Sequence, residues 1–278
     1  MIKITTDSTT DLPAQLLAQH HIAVLPLGII MGGKLYQDGV NITTADISAH
    51  VDAGGEITST NAVNIADYEA LFRRETADGS TVIHVSVGMG FSSCHQNACI
   101  AAEDIPNVHV VDGANLSMGH AMVVLAAAEA AEAGACAAEI LALLETLIPK
   151  VEMSFVLDRL DYMKKGGRCS SVAALGANLL KLHPCIDLVD GKMGVTKKFR
   201  GSIGKVVTDY VHDRLDGRTD IDTSRCILVD SAADDALADR VIPLLREFGF
   251  VDIVRSKIGC TIFSHCGNNT LGMAFFRK

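Results

Sequence analysis

What this chain of 278 residues lacks narrows its class before any motif is read. It contains no tryptophan, and aromatics make up only 5% of a sequence that is 49% hydrophobic, so the core must be aliphatic and alanine-rich. Positive charge is not in excess. The 24 lysines and arginines face 33 acidic residues, and the formal net charge of −9 argues against a nucleic-acid partner. The eight cysteines include no Cys-x-x-Cys pair, which excludes the usual zinc spacings and the thioredoxin motif and leaves free thiols as the expectation. No apolar run is long and unbroken: the stretch 116–148 is interrupted by Glu129, Glu132 and Glu139, so no membrane insertion is expected. Met1 to Thr6 leads directly into Asp7, so we expect no signal peptide and a cytoplasmic location. There is no internal repeat, low-complexity tract or long linker. The length allows one large domain or two smaller ones with a substantial core.

What is present is organised around residues 81–99. Thr81 to Val87 is rich in β-branched residues and reads as a buried strand, Gly88 and Gly90 allow a tight turn, and Ser92 stands where a helix N-cap belongs. A strand passing through glycines into a capped helix presents unpaired N–H groups suited to an anion. We read the turn as a carboxylate cradle with hydroxyls from Ser92 and Ser93. The same pattern also serves as ordinary connection and capping chemistry.

Around this unit, strands are expected at 1–6, 22–31 and 108–112, and helices follow Pro13, Thr43 or Thr44, and Asn64. Asp7 and Ser8 fall at the carboxyl end of the first strand, the edge where open α/β sheets bind ligands, while Asp11 reads as a helix cap. The hydroxyl run Thr58-Ser59-Thr60 reads as a loop able to line a polar pocket or simply to be solvated. Alternating strands and helices imply a parallel sheet over residues 1–150. From about Val151 the texture changes. Residues 182–199 read as a hairpin around Asp190-Gly191, and 261–267 as a strand ending in a histidine and a glycine turn. The expected architecture is therefore an N-terminal parallel-sheet α/β domain, 1–150, and a C-terminal α+β domain, 151–278.

Several short motifs, in one order from near residue 4 to residue 275, resemble the DegV family. They are Thr6-Asp7-Ser8-Thr9, Pro26-Leu27, Tyr36 with Asp38-Gly39, Thr58-Ser59, the Ser92 turn, Tyr162 with Lys164-Lys165-Gly166-Gly167-Arg168, Pro184, Gly191, Arg200, and Ser264-His265 with Gly267. The resemblance implies a DegV-like fold of two domains with a long-chain fatty acid between them. It also implies a non-catalytic role as the acyl-binding subunit of a fatty acid kinase, which phosphorylates the carboxylate for phospholipid synthesis. Carried over by position, the carboxylate site falls on Thr58, Ser92 and His265, with Ser93 beside them. Arg168 and Arg200 match basic positions near the mouth that engage the partner kinase. No metal or other cofactor is implied. The chain departs from the family pattern at Ser93-Cys94, where Gly-Thr is usual, at Gly88-Met89, where two serines are common, and at Asn61 and Asn268, which replace prolines.

Two other functions fit parts of the pattern. Gly88-x-Gly90-x-x-Ser93 after a strand, with Asp112 ending the next strand, is part of a dinucleotide-binding fingerprint, although the third glycine is missing. Ser92 with His265 suggests a serine hydrolase, although the second glycine of a nucleophile elbow and a paired acid are lacking.

Overall fold

The computed structural model describes residues 1–175, 182–189 and 191–278. The chain begins β1 (Ile2–Asp7), α1 (Ala14–Gln19), β2 (Ala23–Leu25), β3 (Gly28–Met31), β4 (Lys34–Gln37), α2 (Thr44–Asp52), β5 (Ser59–Asn61) and α3 (Ile65–Thr76). It continues β6 (Thr81–Ser86), α4 (Cys94–Ala102), β7 (Val108–Asp112), α5 (Ser117–Glu132), α6 (Ala137–Leu147), β8 (Val151–Val156), α7 (Leu160–Gly166) and α8 (Ser170–Ala173). The remainder is β9 (Leu182–Val189), β10 (Lys192–Arg200), α9 (Ile203–Leu215), β11 (Arg225–Asp230), α10 (Ala236–Glu247), β12 (Asp252–Lys257), α11 (Cys260–Cys266) and β13 (Leu271–Phe276).

Three sheets organise these elements. A four-stranded sheet in the order β2-β1-β6-β7 is wholly parallel, as the strand–helix alternation predicts. A six-stranded sheet, β10-β9-β8-β13-β11-β12, is mixed, with only β11 and β12 parallel to each other. A small antiparallel sheet, β4-β3-β5, lies beside them. The hairpin of β9 and β10 forms where the sequence places it, although Asp190 of its turn lies outside the described residues.

Helix α5 sits between the two larger sheets, against β1 and β6 on one side and β8, β11 and β13 on the other. Its sequence is apolar nearly all round, and residues 117–125 are buried without a break. One apolar cluster therefore extends from Ile4 and Val85 through Met122 to Phe155 and Ile227. A second cluster, including Val206, Tyr210, Val241 and Leu228, packs α9 and α10 on the far face of the six-stranded sheet.

Several local expectations are corrected. Ser92 is not the N-cap: α4 begins at Cys94 after Ser93, and the Ser92 hydroxyl accepts the Cys94 N–H at 3.3 Å. Asp11 does not cap α1; it takes a left-handed backbone conformation and turns its carboxylate to Ser117 and to the N–H of Gly259. Residues 261–267, expected to be a strand ending in a glycine turn, lie instead in helix α11 and its C-cap Gly267, and Ser59–Asn61, expected to be a loop, form strand β5. Thr261, Ile262 and Phe263 favour a strand by propensity, but packing overrides such preferences. Here the helix start is held by carboxylates more than 200 residues away in the chain.

Candidate functional site

The first amides of the turn after β6 are taken by the protein itself. The N–H of Val87 is bound by Asp7 at 2.7 Å, that of Gly88 by the carbonyl of Asn115 at 2.8 Å, and that of Met89 by Asp112 at 3.0 Å. The glycines are required because backbone crowds them. A side chain on Gly88 would meet Ala114 at 2.9 Å, and one on Gly90 would meet the carbonyl of Gly191 at 2.8 Å. Space that a dinucleotide-binding loop would give to a pyrophosphate is filled by the protein itself. Asp112, the expected ribose-binding acid, instead accepts the N–H groups of Met89 and Ala114.

The far end of the turn faces a cavity. Ser92 and Ser93 line a cavity of about 250 Å³ enclosed by the parallel sheet's carboxyl edge, the small sheet, the six-stranded sheet, α7 and α11. Apolar walls come from Leu27, Val87, Phe91, Leu116, Phe155 and Met163. The polar members are Thr9, Thr60, Asn61, Ser92, Ser93, Arg168, Thr261 and His265.

Several of these polar groups are linked to one another. Thr60 Oγ1 lies 3.0 Å from His265 Nε2. The imidazole rests against Gly166, whose carbonyl accepts a hydrogen bond of 2.8 Å from Arg168 Nη1. Arg168 Nε reaches the carbonyl of Phe91 at 3.5 Å, next to Ser92. Burial, with a smaller contribution from the Arg168 charge, pushes the His265 pKa down to about 4, so the ring is neutral at pH 7. A neutral imidazole, several hydroxyls and one exposed guanidinium suit a carboxylate. They supply donors without burying an unpaired cation.

Four of the expected site residues, Ser92, Ser93, Arg168 and His265, meet at this cavity. Two do not. Thr58 is buried with its hydroxyl donated to Ser264 at 2.7 Å, and it does not line the cavity. Arg200 ends β10 on the exposed surface and likewise lies outside the lining. Thr60 was missed because the hydroxyl run read as a loop. Read as a strand, its period of two puts Thr58 and Thr60 on one face, where they meet the consecutive residues Ser264 and His265.

The hydrolase arrangement is not assembled. The Ser92 hydroxyl engages Cys94 through its N–H and its sulfur, and His265 Nε2 has Thr60 as its partner. Among the described residues, no carboxylate meets the buried Nδ1 of His265 to orient it as a base. No group of histidines, cysteines and carboxylates suited to a metal occurs among the described residues, and no helix there is long and apolar enough to cross a membrane.

Fold and site together define a mixed α/β protein with a cavity lined in part by apolar side chains and in part by hydroxyls, an imidazole and a guanidinium. The chain belongs to the DegV family, a family of uncharacterised proteins whose model matches residues 1–278. A DegV domain-containing protein of Clostridium acetobutylicum is 30% identical over 284 residues, covering 100% of this chain and 99% of the relative. One from Streptomyces coelicolor is 31% identical, covering 98% of this chain and 97% of the relative. Among solved structures, a DegV family protein from Thermus thermophilus, described as binding fatty acid, superposes with a TM-score of 0.89 at 29% identity, covering 100% and 99% of the two chains. A stearic acid-binding protein from Eubacterium ventriosum shares the fold with a TM-score of 0.86 at 23% identity over 100% and 99% of the chains.

Proposed function

We propose that this protein binds a long-chain fatty acid in the cavity, with residues 1–150 and 151–278 as its two walls, and performs no chemistry on it. The observation that carries the reading is the contact of Thr60 with a neutral His265 in a cavity that also has apolar walls from Leu27, Val87, Phe91, Leu116, Phe155 and Met163. Burial of an alkyl chain provides the driving force. About 14 methylenes at ~0.8 kcal/mol each supply on the order of 10 kcal/mol before ordering costs. The carboxylate then needs partners, because an unpaired buried charge is costly. Ser92, Ser93, Thr60 and His265 provide them, and the fatty-acid binding described for the Thermus thermophilus relative supports the assignment.

The finer reading is that the bound carboxylate is presented to a partner kinase in the cytoplasm. A carboxylate oxygen attacks the γ-phosphorus of ATP, and the acyl-phosphate and ADP leave. The exposure of Arg168 at the cavity border supports its assignment to the surface that such a partner would contact. Arg200 is assigned to the same partner surface outside the cavity.

Organic extraction of the purified protein followed by mass spectrometry tests the ligand. A co-purified C16 or C18 acid is the expected result, and an adenine cofactor or a cavity that takes up no added oleate overturns it. For the partner, oleate-loaded protein, ATP and candidate kinases are incubated with hydroxylamine. An acyl hydroxamate formed only with both proteins supports presentation, and its absence with every ATP-dependent kinase of the source cell refutes it.

A further inference from the structure

Helix α11 carries His265 near its end, and its beginning is held by residues from the first forty of the chain. A helix start leaves its leading N–H groups without intrahelical acceptors. Here the N–H of Gly259 is bound by Asp11 Oδ1 at 2.7 Å, that of Cys260 by Asp38 Oδ1 at 2.7 Å, and that of Thr261 by Asp38 Oδ2 at 3.0 Å. No side chain of the helix's own N-terminal turn caps it. Both oxygens of Asp38 are therefore committed to consecutive amides, which fixes the rotation of the helix about its axis as well as its position.

Asp38 is itself tied to the other half of the site. It directly follows β4, which pairs with β3, which pairs with β5, the strand of Thr60. Its N–H is bound by the carbonyl of Leu27 at 2.9 Å, and its Oδ2 also accepts the Ser8 hydroxyl at 2.9 Å. Ser8 in turn accepts the N–H of Leu27 at 3.0 Å. The buried carboxylate of Asp38 thus ties the small sheet bearing Thr60 to the start of the helix bearing His265, beside the Thr58–Ser264 hydrogen bond further along the helix. Thr261, whose N–H Asp38 holds, stands four residues before His265 and so on the same side of the helix, and both line the cavity. Rotation of α11 about its axis would move Nε2 relative to Thr60.

We infer that Asp38 is the positioning residue of the head-group site: it sets the Thr60–His265 pair and thereby the preference for a carboxylate over other head groups. This rests on the fatty-acid reading above, and the experiment separates the two. Affinities for hexadecanoic acid and for hexadecanol, which share the tail and differ in the head, are measured on the wild type, Asp38→Asn and Ser8→Ala. In parallel, the imidazole resonances of His265 are recorded by NMR on ligand-free protein.

Asp38→Asn keeps the volume but puts an NH2 against one of the helix amides. The acid-over-alcohol preference is expected to fall about tenfold, with hexadecanol affinity unchanged and the His265 resonances displaced. Ser8→Ala leaves both helix amides bound and removes one of the carboxylate's other anchors. It should produce the same changes several-fold smaller, and it decides the matter if Asp38→Asn does not fold. A preference and His265 resonances unchanged in the folded variants overturn the inference, as does a loss of acid and alcohol affinity in equal proportion. A wild type that does not favour the acid overturns the fatty-acid reading instead, and the ligand-free resonances still decide whether Asp38 positions His265.

Discussion

The imidazole of His265 lies so close over Gly166 that a methyl group there would stand 2.1 Å from Nδ1. The glycine pair of Lys-Lys-Gly-Gly-Arg is thus split between two tasks. Gly166 makes room for the histidine, while Gly167, in the left-handed region at φ 68°, ends α7 with nothing near its missing side chain.

Gly166→Ala should therefore displace the ring, lower stability by about 1–3 kcal/mol through overpacking, and weaken fatty-acid binding. Gly167→Ala should cost about 1–2 kcal/mol of backbone strain and leave binding nearly intact. Thermal melts with parallel ligand titrations distinguish these outcomes. Equal binding losses in both variants would contradict the division.

The two threonines of the hydroxyl strand should separate in the same way. Thr60→Val removes the partner of His265 Nε2 and is expected to cost about 1.4 kcal/mol of ligand affinity, roughly tenfold, with a small effect on stability. Thr58→Val removes a buried hydrogen bond to Ser264 and should lower stability by about 1 kcal/mol with little change in affinity. Denaturant unfolding and calorimetric titration of each variant give both numbers.

Asp11 should make stability fall as pH rises. Burial, opposed by the bonds from Ser117 and Gly259 and reinforced by the charges of Asp38 and Asp7, pushes its pKa up to about 8. The unfolded carboxyl ionises near pH 3.8. Between these values the folded state holds the extra proton, so this residue's contribution declines from about pH 4 to about pH 8. The urea midpoint of Asp11→Asn should show a shallower decline than wild type over that window. Parallel profiles would count against the shift.

Histidines act in the opposite sense on the acid side. His84 is fully buried and its pKa is pushed down to about 3, chiefly by burial and further by His120 and His95. Its ordinary value is 6.5, so the unfolded state takes up the proton first as pH falls, and stability is lost from about pH 6.5 downward. His84→Gln should flatten this acid limb in pH-dependent unfolding, at the cost of some stability at pH 7 from the altered contact with Thr5.

Elements whose causes lie within a few residues were legible in the sequence. Thr43 caps α2 through a reciprocal pair with Asp46, and Asn64 caps α3 by accepting the Asp67 N–H at 2.9 Å. The β9–β10 hairpin, the parallel first sheet and the serines of the Phe91-Ser92-Ser93 turn follow from local pattern as well. The family motifs led to His265 and Arg168 for the same cavity, but not to Thr60.

Tertiary structure alone decided the rest. Whether 260–266 is helix or strand depends on side-chain oxygens of Asp11 and Asp38, and no local pattern encodes an acceptor so distant. The amides of Val87, Gly88 and Met89 are taken because Asp7, Asn115 and Asp112 reach them from distant parts of the chain. Neighbouring residues fix capping and strand period, but the pairing of hydrogen-bond donors with acceptors is settled only when the chain has closed on itself.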